Sequence, residues 1–212
     1  MHIPDGFISA PVAVATGLVA VAAIAAAVKV TNKKVGEKQV PMMGVLAAFI
    51  FAAQMLNFPV AGGTSGHFVG AALAAILLGP WASVLIMSSV LIVQCLIFQD
   101  GGLLALGANI FNMGVVSVFI SYYIYKGIYA ISRQSKAGML TGAGIASWFS
   151  VVIAALACAA ELALSGTAPW EIAIAAMGGI HMVIGVGEGL ITGAVLSLVM
   201  ATRADLLKLQ VA

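Results

Sequence analysis

The stretch PVAGGTSGHFVGAALAAILLGP, residues 59–80, decides how this chain is folded. It lies in a run between Lys38 and Asp100 that holds no charged side chain. Breaks at Pro59–Gly66 and at Gly79-Pro80 divide the run into three apolar segments, Met42–Phe58, His67–Gly79 and Trp81–Phe98. The middle segment has 13 residues, about 20 Å of helix against a hydrocarbon core of about 30 Å. It is too short to cross alone, so the glycine-rich stretch before it is expected to dip below the membrane surface. Irregular backbone at that depth persists only where it is buried in protein or lines a wet cavity. A short helix beside such a break is how transporters build binding sites.

The rest of the composition agrees that the chain is membrane-integral. Of 212 residues, 63% are hydrophobic and 8% charged, with a mean hydropathy of +1.16. Soluble domains carry roughly 25% charged residues. A net charge of +2 gives no reason to expect nucleic acid as a partner. Cys95 and Cys158 each sit in apolar surroundings without the spacing of a thiolate metal site.

The nine Lys and Arg fall in three clusters: Lys29, Lys33, Lys34 and Lys38; Lys126, Arg133 and Lys136; Arg203 and Lys208. Positive loops stay cytoplasmic, which requires an odd number of crossings. Residues 6–28 are free of charge and lack a basic n-region before them, so they read as a retained first helix, Phe7–Val28, rather than a cleaved signal. The free amine of Met1 is then expected to begin the mature chain. Leu103–Tyr129, Met139–Leu164 and Glu171–Arg203 complete the count. The expectation is an all-α integral membrane protein of about seven transmembrane helices, a multi-pass protein of the cell membrane with its N-terminus outside and its C-terminus cytoplasmic.

The chain opens MHIPDG. The Met1 amine and the His2 amide nitrogen close a five-membered chelate on a metal, and the amide with His2 Nδ1 closes a six-membered one. Three nitrogens then lie in one plane, a geometry suited to Ni(II) or Cu(II). His67, which follows the glycine-rich dip, can supply the fourth. Alone, His2 reads as a solvent-exposed terminus and His67 as a helix-start residue. Together, at one outer level, they read as a site. The amide must lose its proton to bind, so the site should weaken as pH falls.

Metal-bound imidazoles need outer partners. Gln54 and Asn57, three apart near the end of the second helix, and Asn109 and Asn112, three apart near the start of the fifth, are candidates, as is Ser65 beside His67. Helix–helix hydrogen bonding accounts for the four amides equally well. Asp100 and Glu171 read as loop or helix-start acids. His181 and Glu188 are seven apart and share a helix face. A second metal or proton site there competes with a plain internal polar contact.

Four motifs carry a resemblance that runs nearly the whole chain: MHIPDGF from Met1, GTSGHFVGAALAAILLGP from Gly63, FQDGGLLALGANIFNMG from Phe98 and HMVIGVGEGLIT from His181. In these the chain resembles the CbiM/NikM family, the substrate-binding membrane (S) components of energy-coupling-factor (ECF) transporters for cobalt or nickel. The resemblance implies one transmembrane domain over residues 1–212, with residues 1–6 as a plug in the core of the bundle and residues 59–67 as the binding-site loop. It implies metal ligands at Met1, His2 and His67, with the site facing outside, and Ni2+, or alternatively Co2+, as transported substrate. It also implies partners: a transmembrane coupling (T) protein, cytoplasmic ATP-binding-cassette ATPases and a small accessory membrane subunit. The chain itself has no phosphate-binding loop of the G-x-x-x-x-G-K-[ST] type. No H-E-x-x-H cluster supports a hydrolase. A vitamin-binding S component is the remaining transporter alternative, and it would leave His2 dispensable.

Overall fold

The computed structural model describes residues 1–37, 39–60 and 64–208. Lys38 of the first basic cluster and residues 61–63 of the expected binding-site loop lie outside the described residues.

Helix α1 spans Ala10–Lys34, three residues later at its start than the hydropathy alone suggests. The reason is local. Gly6 takes a positive φ of 86°, Ser9 is extended, and a proline in the first turn sets the helical φ for entry. Helix α2, Gln39–Gln54, stops four residues short of the expected Phe58. Pro59 disfavours helix in the residue before it, and the chain becomes extended. Strands β1, Phe58–Val60, and β2, Thr64–Gly66, pair antiparallel with Pro59 opposite Ser65. Paired strands, rather than irregular chain, therefore flank the stretch where the dip is expected.

Helix α3, Ala71–Leu78, is 8 residues long and every one is buried. It is shorter still than the 13-residue segment expected, because Gly70 and Gly79 take positive φ values of 78° and 82° at its two ends. Helix α4 follows at once, Pro80–Phe98. Helices α5, Leu106–Ile110, and α6, Ser117–Ile131, are joined by a π-helical stretch, Phe111–Val116, into one continuous segment. Helices α7, Lys136–Leu164, and α8, Trp170–Thr202, pack along each other, and a 3-10 turn follows at Ala204–Lys208.

Among the described residues, five helical segments are long and apolar enough to cross a membrane: α1, α4, Leu106–Ile131, α7 and α8. The other two expected crossings correspond to α2, with 16 residues, and to buried α3. Val14, Leu18 and Val21 of α1 and Val183 and Leu190 of α8 turn outward, as lipid-facing side chains do. Helices α1 and α5 meet backbone to backbone. A Cβ on Gly107 would lie 2.6 Å from Gly17 Cα, the close approach that small residues allow between helices in lipid.

Candidate metal centre

The first nine residues do not fray. Asp5 accepts hydrogen bonds from the Leu103 and Leu104 amides at 3.1 and 2.7 Å. Asn109 reads Ile3 on both sides: Oδ1 accepts from the Ile3 amide at 2.8 Å and Nδ2 donates to the Ile3 carbonyl at 3.1 Å. The Gly102 amide also donates to that carbonyl, at 2.8 Å. Met1, His2 and Ile3 are consequently buried inside the bundle.

Ser65 receives the chain end. The Met1 amine donates to the Ser65 carbonyl and, at 3.2 Å, to its Oγ, which also accepts from the His2 amide at 3.3 Å. Burial pushes the Met1 amine down to about 5 and the His2 imidazole down to about 3, so both are unprotonated at neutral pH. The His2 ring is oriented by one hydrogen bond. Nε2 donates to Gln94 Oε1 at 3.1 Å, which leaves Nδ1 as the lone-pair nitrogen, 3.2 Å from Asp100 Oδ1. Asp100 is itself held by Asn57 Nδ2 at 3.1 Å on its other oxygen.

His67 lies between β2 and α3, and its ring stacks on His2 with centroids 4.5 Å apart and planes inclined by 24°. Its Nδ1 donates to the Phe68 carbonyl at 2.6 Å. Nε2 is therefore a bare lone pair, buried and without a hydrogen-bond partner. Burial holds this imidazole well below its ordinary pKa. Among the described residues no three His, Cys, Asp or Glu side chains converge as a ligand set. The nitrogens gathered here are the Met1 amine, the His2 amide, His2 Nδ1 and His67 Nε2, two of them from the main chain.

The outer candidates divide. Ser65 touches the chain end directly. Gln54 Nε2 donates to the Val69 carbonyl at 2.7 Å and so anchors the segment that carries His67. Asn57 stands beyond the end of α2, not on its face with Gln54, and acts through Asp100. Asn109 holds the plug. Asn112 lies in the π-helical stretch and donates to Glu161 Oε2 at 2.7 Å, away from the histidine pair. Glu188 accepts from the Val69 and Gly70 amides at 2.6 and 2.8 Å. A carboxylate thus caps the start of α3, where the helix dipole favours it. His181 is not hydrogen-bonded to Glu188; its Nδ1 donates to the Met177 carbonyl at 2.7 Å.

Gln94 is not among the expected site residues, and Asp100 reads from the sequence only as a loop or helix-start acid. The signal for Gln94 was a lone amide within an apolar helix; its partner is 92 positions away in sequence.

Residues 2–206 match the family of cobalt uptake substrate-specific transmembrane regions, CbiM. A protein of Archaeoglobus fulgidus named as a fused nickel transport protein, NikMN, is 42% identical over 98% of this chain and 68% of its own length. The cobalt transport protein CbiM of Sorangium cellulosum is 34% identical over 81% of this chain and 78% of its own. A crystal structure of a truncated transition metal transporter superposes with a TM-score of 0.87 at 36% identity, covering 95% of this chain and 99% of that one. The S component of a bacterial ECF transporter shares the fold, with a TM-score of 0.54 at 21% identity over 81% of this chain and 98% of that one. By sequence and by fold, the chain belongs to the CbiM family of nickel and cobalt transport membrane components, which are transporter subunits and not enzymes.

Proposed function

We propose that the protein is the substrate-binding subunit for high-affinity uptake of a divalent transition metal, Ni2+ in preference to Co2+, by an ECF-type ATP-driven transporter. The ion is held by the Met1 amine, the His2 amide nitrogen, His2 Nδ1 and His67 Nε2, at a site facing outside. The observation that carries this reading is the His2–His67 pair. Each ring has one nitrogen fixed by a hydrogen bond, to Gln94 and to the Phe68 carbonyl, and the other left as a buried lone pair. A binding-ready imidazole in a metal site is prepared in this way.

Charge supports the same assignment. An ion of charge +2 bound to a deprotonated amide leaves one net positive charge. The Asp100 carboxylate, 3.2 Å from His2 Nδ1, offsets it. Four nitrogens in a plane favour Ni2+ modestly over Co2+. Transport then requires a T protein, paired cytoplasmic ATPases and an accessory membrane subunit. The coupling protein would reorient this subunit so that the site releases inward.

The test is a Ni2+ titration, by calorimetry and visible absorption, of purified protein beginning at Met1. His2→Ala and a chain extended before Met1 are titrated in parallel. One-to-one binding with a square-planar spectrum, lost in both variants, is the expected outcome. Unchanged binding in both sinks the amino-terminal chelate, and a native chain that binds no metal reopens the vitamin reading.

A further inference from the structure

His181 is wholly buried in α8, and its Nε2 has no hydrogen-bond partner. Its Nδ1 carries the proton, because the Met177 carbonyl 2.7 Å away can only accept. A buried imidazole with a fixed tautomer and an empty lone pair requires an explanation. The outer chelate described above already has four nitrogens without it.

Its neighbours locate it. Thr64 Oγ1 donates to Met177 Sδ at 2.9 Å. Glu188 holds the amides of Val69 and Gly70. The segment Thr64–Gly70 therefore runs alongside α8 from Met177 to Glu188. His181 falls on that same face, one turn from Met177 and two from Glu188. It stands against the middle of the segment, where His67 lies. Both offer a bare Nε2. Glu188 is not available as a ligand, because both of its oxygens are taken by amides.

We propose that His181 is an inner metal ligand, and that His67 Nε2 and His181 Nε2 form a second, two-imidazole station for the divalent ion beside the amino-terminal chelate. This rests on the metal-uptake reading above. The ion moves by exchange: its bonds to the Met1 amine, the His2 amide and His2 Nδ1 break, the bond to His67 persists, and one to His181 forms. The amide takes back from bulk solvent the proton it released when the ion bound, and water completes the coordination. Imidazole suits both nickel and cobalt, and a site with fewer protein ligands releases its ion more readily than the chelate.

The test is a Co2+ titration, followed by visible absorption, of the native chain, His2→Ala, His181→Ala and His2→Ala/His181→Ala. The native chain should bind more tightly than either variant that lacks His2. The His2→Ala variant should retain weaker binding, and adding His181→Ala should weaken that residue of binding by at least about tenfold. X-ray absorption of Co2+ bound to His2→Ala should count two imidazoles, a readout independent of how the His181 variants fold. Equal binding by His2→Ala and the double variant, or a count of one imidazole, overturns the inner station while leaving the outer site intact. A native chain that binds no Co2+ or Ni2+ overturns the parent reading and this one with it.

Discussion

The imidazoles of His2 and His67 lie face to face, with centroids 4.5 Å apart, although 65 peptide bonds separate them. The stack can be separated from the lone pair it presents. His67→Phe keeps a planar ring against His2 and removes Nε2. It should fold with a thermal midpoint near that of the native apo chain. Its Ni2+ affinity should fall by more than the about 10–100-fold that loss of an outer partner costs. Native affinity in the folded His67→Phe protein would remove His67 from the ligand set.

Gln94 acts at one remove. Its side chain is wholly buried, and it fixes which His2 nitrogen carries the proton. Gln94→Leu should keep one-to-one stoichiometry but weaken Ni2+ binding by about 10–100-fold. The square-planar absorption band should persist, which distinguishes a lost orienting contact from a lost ligand. Gln94→Glu, which still accepts from Nε2, should recover much of the affinity.

How much of this was legible beforehand depends on the range of the interaction. The chelate proposed for Met1 and His2 involves adjacent atoms only, so the sequence alone suggests it; the apolar lengths of α1, α4, α7 and α8 are likewise local. The boundaries of α2 and α3 moved because Pro59, Gly70 and Gly79 act on single residues that hydropathy averages over. Asn57 shows the same limit: helical spacing set it beside Gln54, but the helix had already ended. Gln94, Asp100 and Glu188 owe their roles to partners 92, 98 and 119 positions distant. No local pattern encodes such pairings. The resemblance in the four motifs, by contrast, extended over the whole chain and pointed to the family directly.

Glu188 tests whether the clamp on the His67 segment matters to binding. Both carboxylate oxygens accept from main-chain amides at the start of α3. In Glu188→Gln one amide faces an NH2 group instead of an acceptor, at a cost of about 1–3 kcal/mol. The variant should unfold at a lower temperature and bind Ni2+ more weakly, through displacement of His67 rather than loss of a ligand. Unchanged stability would mean that the carboxylate is not holding α3.

Gly70 is constrained twice. Its φ is 78°, and a Cβ there would lie 2.7 Å from Cγ1 of buried Ile50. Gly70→Ala should cost about 1–2 kcal/mol for the left-handed backbone and about 1–3 kcal/mol more for overpacking. Adding Ile50→Ala removes the clash but not the backbone cost, so thermal unfolding of the double variant should not return to the level of Ile50→Ala alone. Full return would show that packing, not conformation, selects glycine.

The plug should respond to acid before the bundle does. The buried Met1 amine has its pKa lowered from about 8 to about 5 by desolvation. A base whose pKa is lowered on burial binds more protons when released, so acid favours release. The stabilisation from docking the amine is complete above about pH 8 and is lost as pH falls through about 5; His2 adds to this at lower pH, between its ordinary 6.5 and about 3. Amide hydrogen exchange at Ile3, held by Asn109, reads the docked state directly. After correction for intrinsic rates, protection at Ile3 in the metal-free protein should be high at pH 8 and reduced at pH 5, while amides in α7 stay protected at both. Bound Ni2+ should maintain Ile3 protection to lower pH, because protons must then displace the metal from the amine and the amide. Equal protection at pH 8 and pH 5 in the metal-free chain would show that the amine is not desolvated in the docked plug, and would remove the pH sensitivity argued from it.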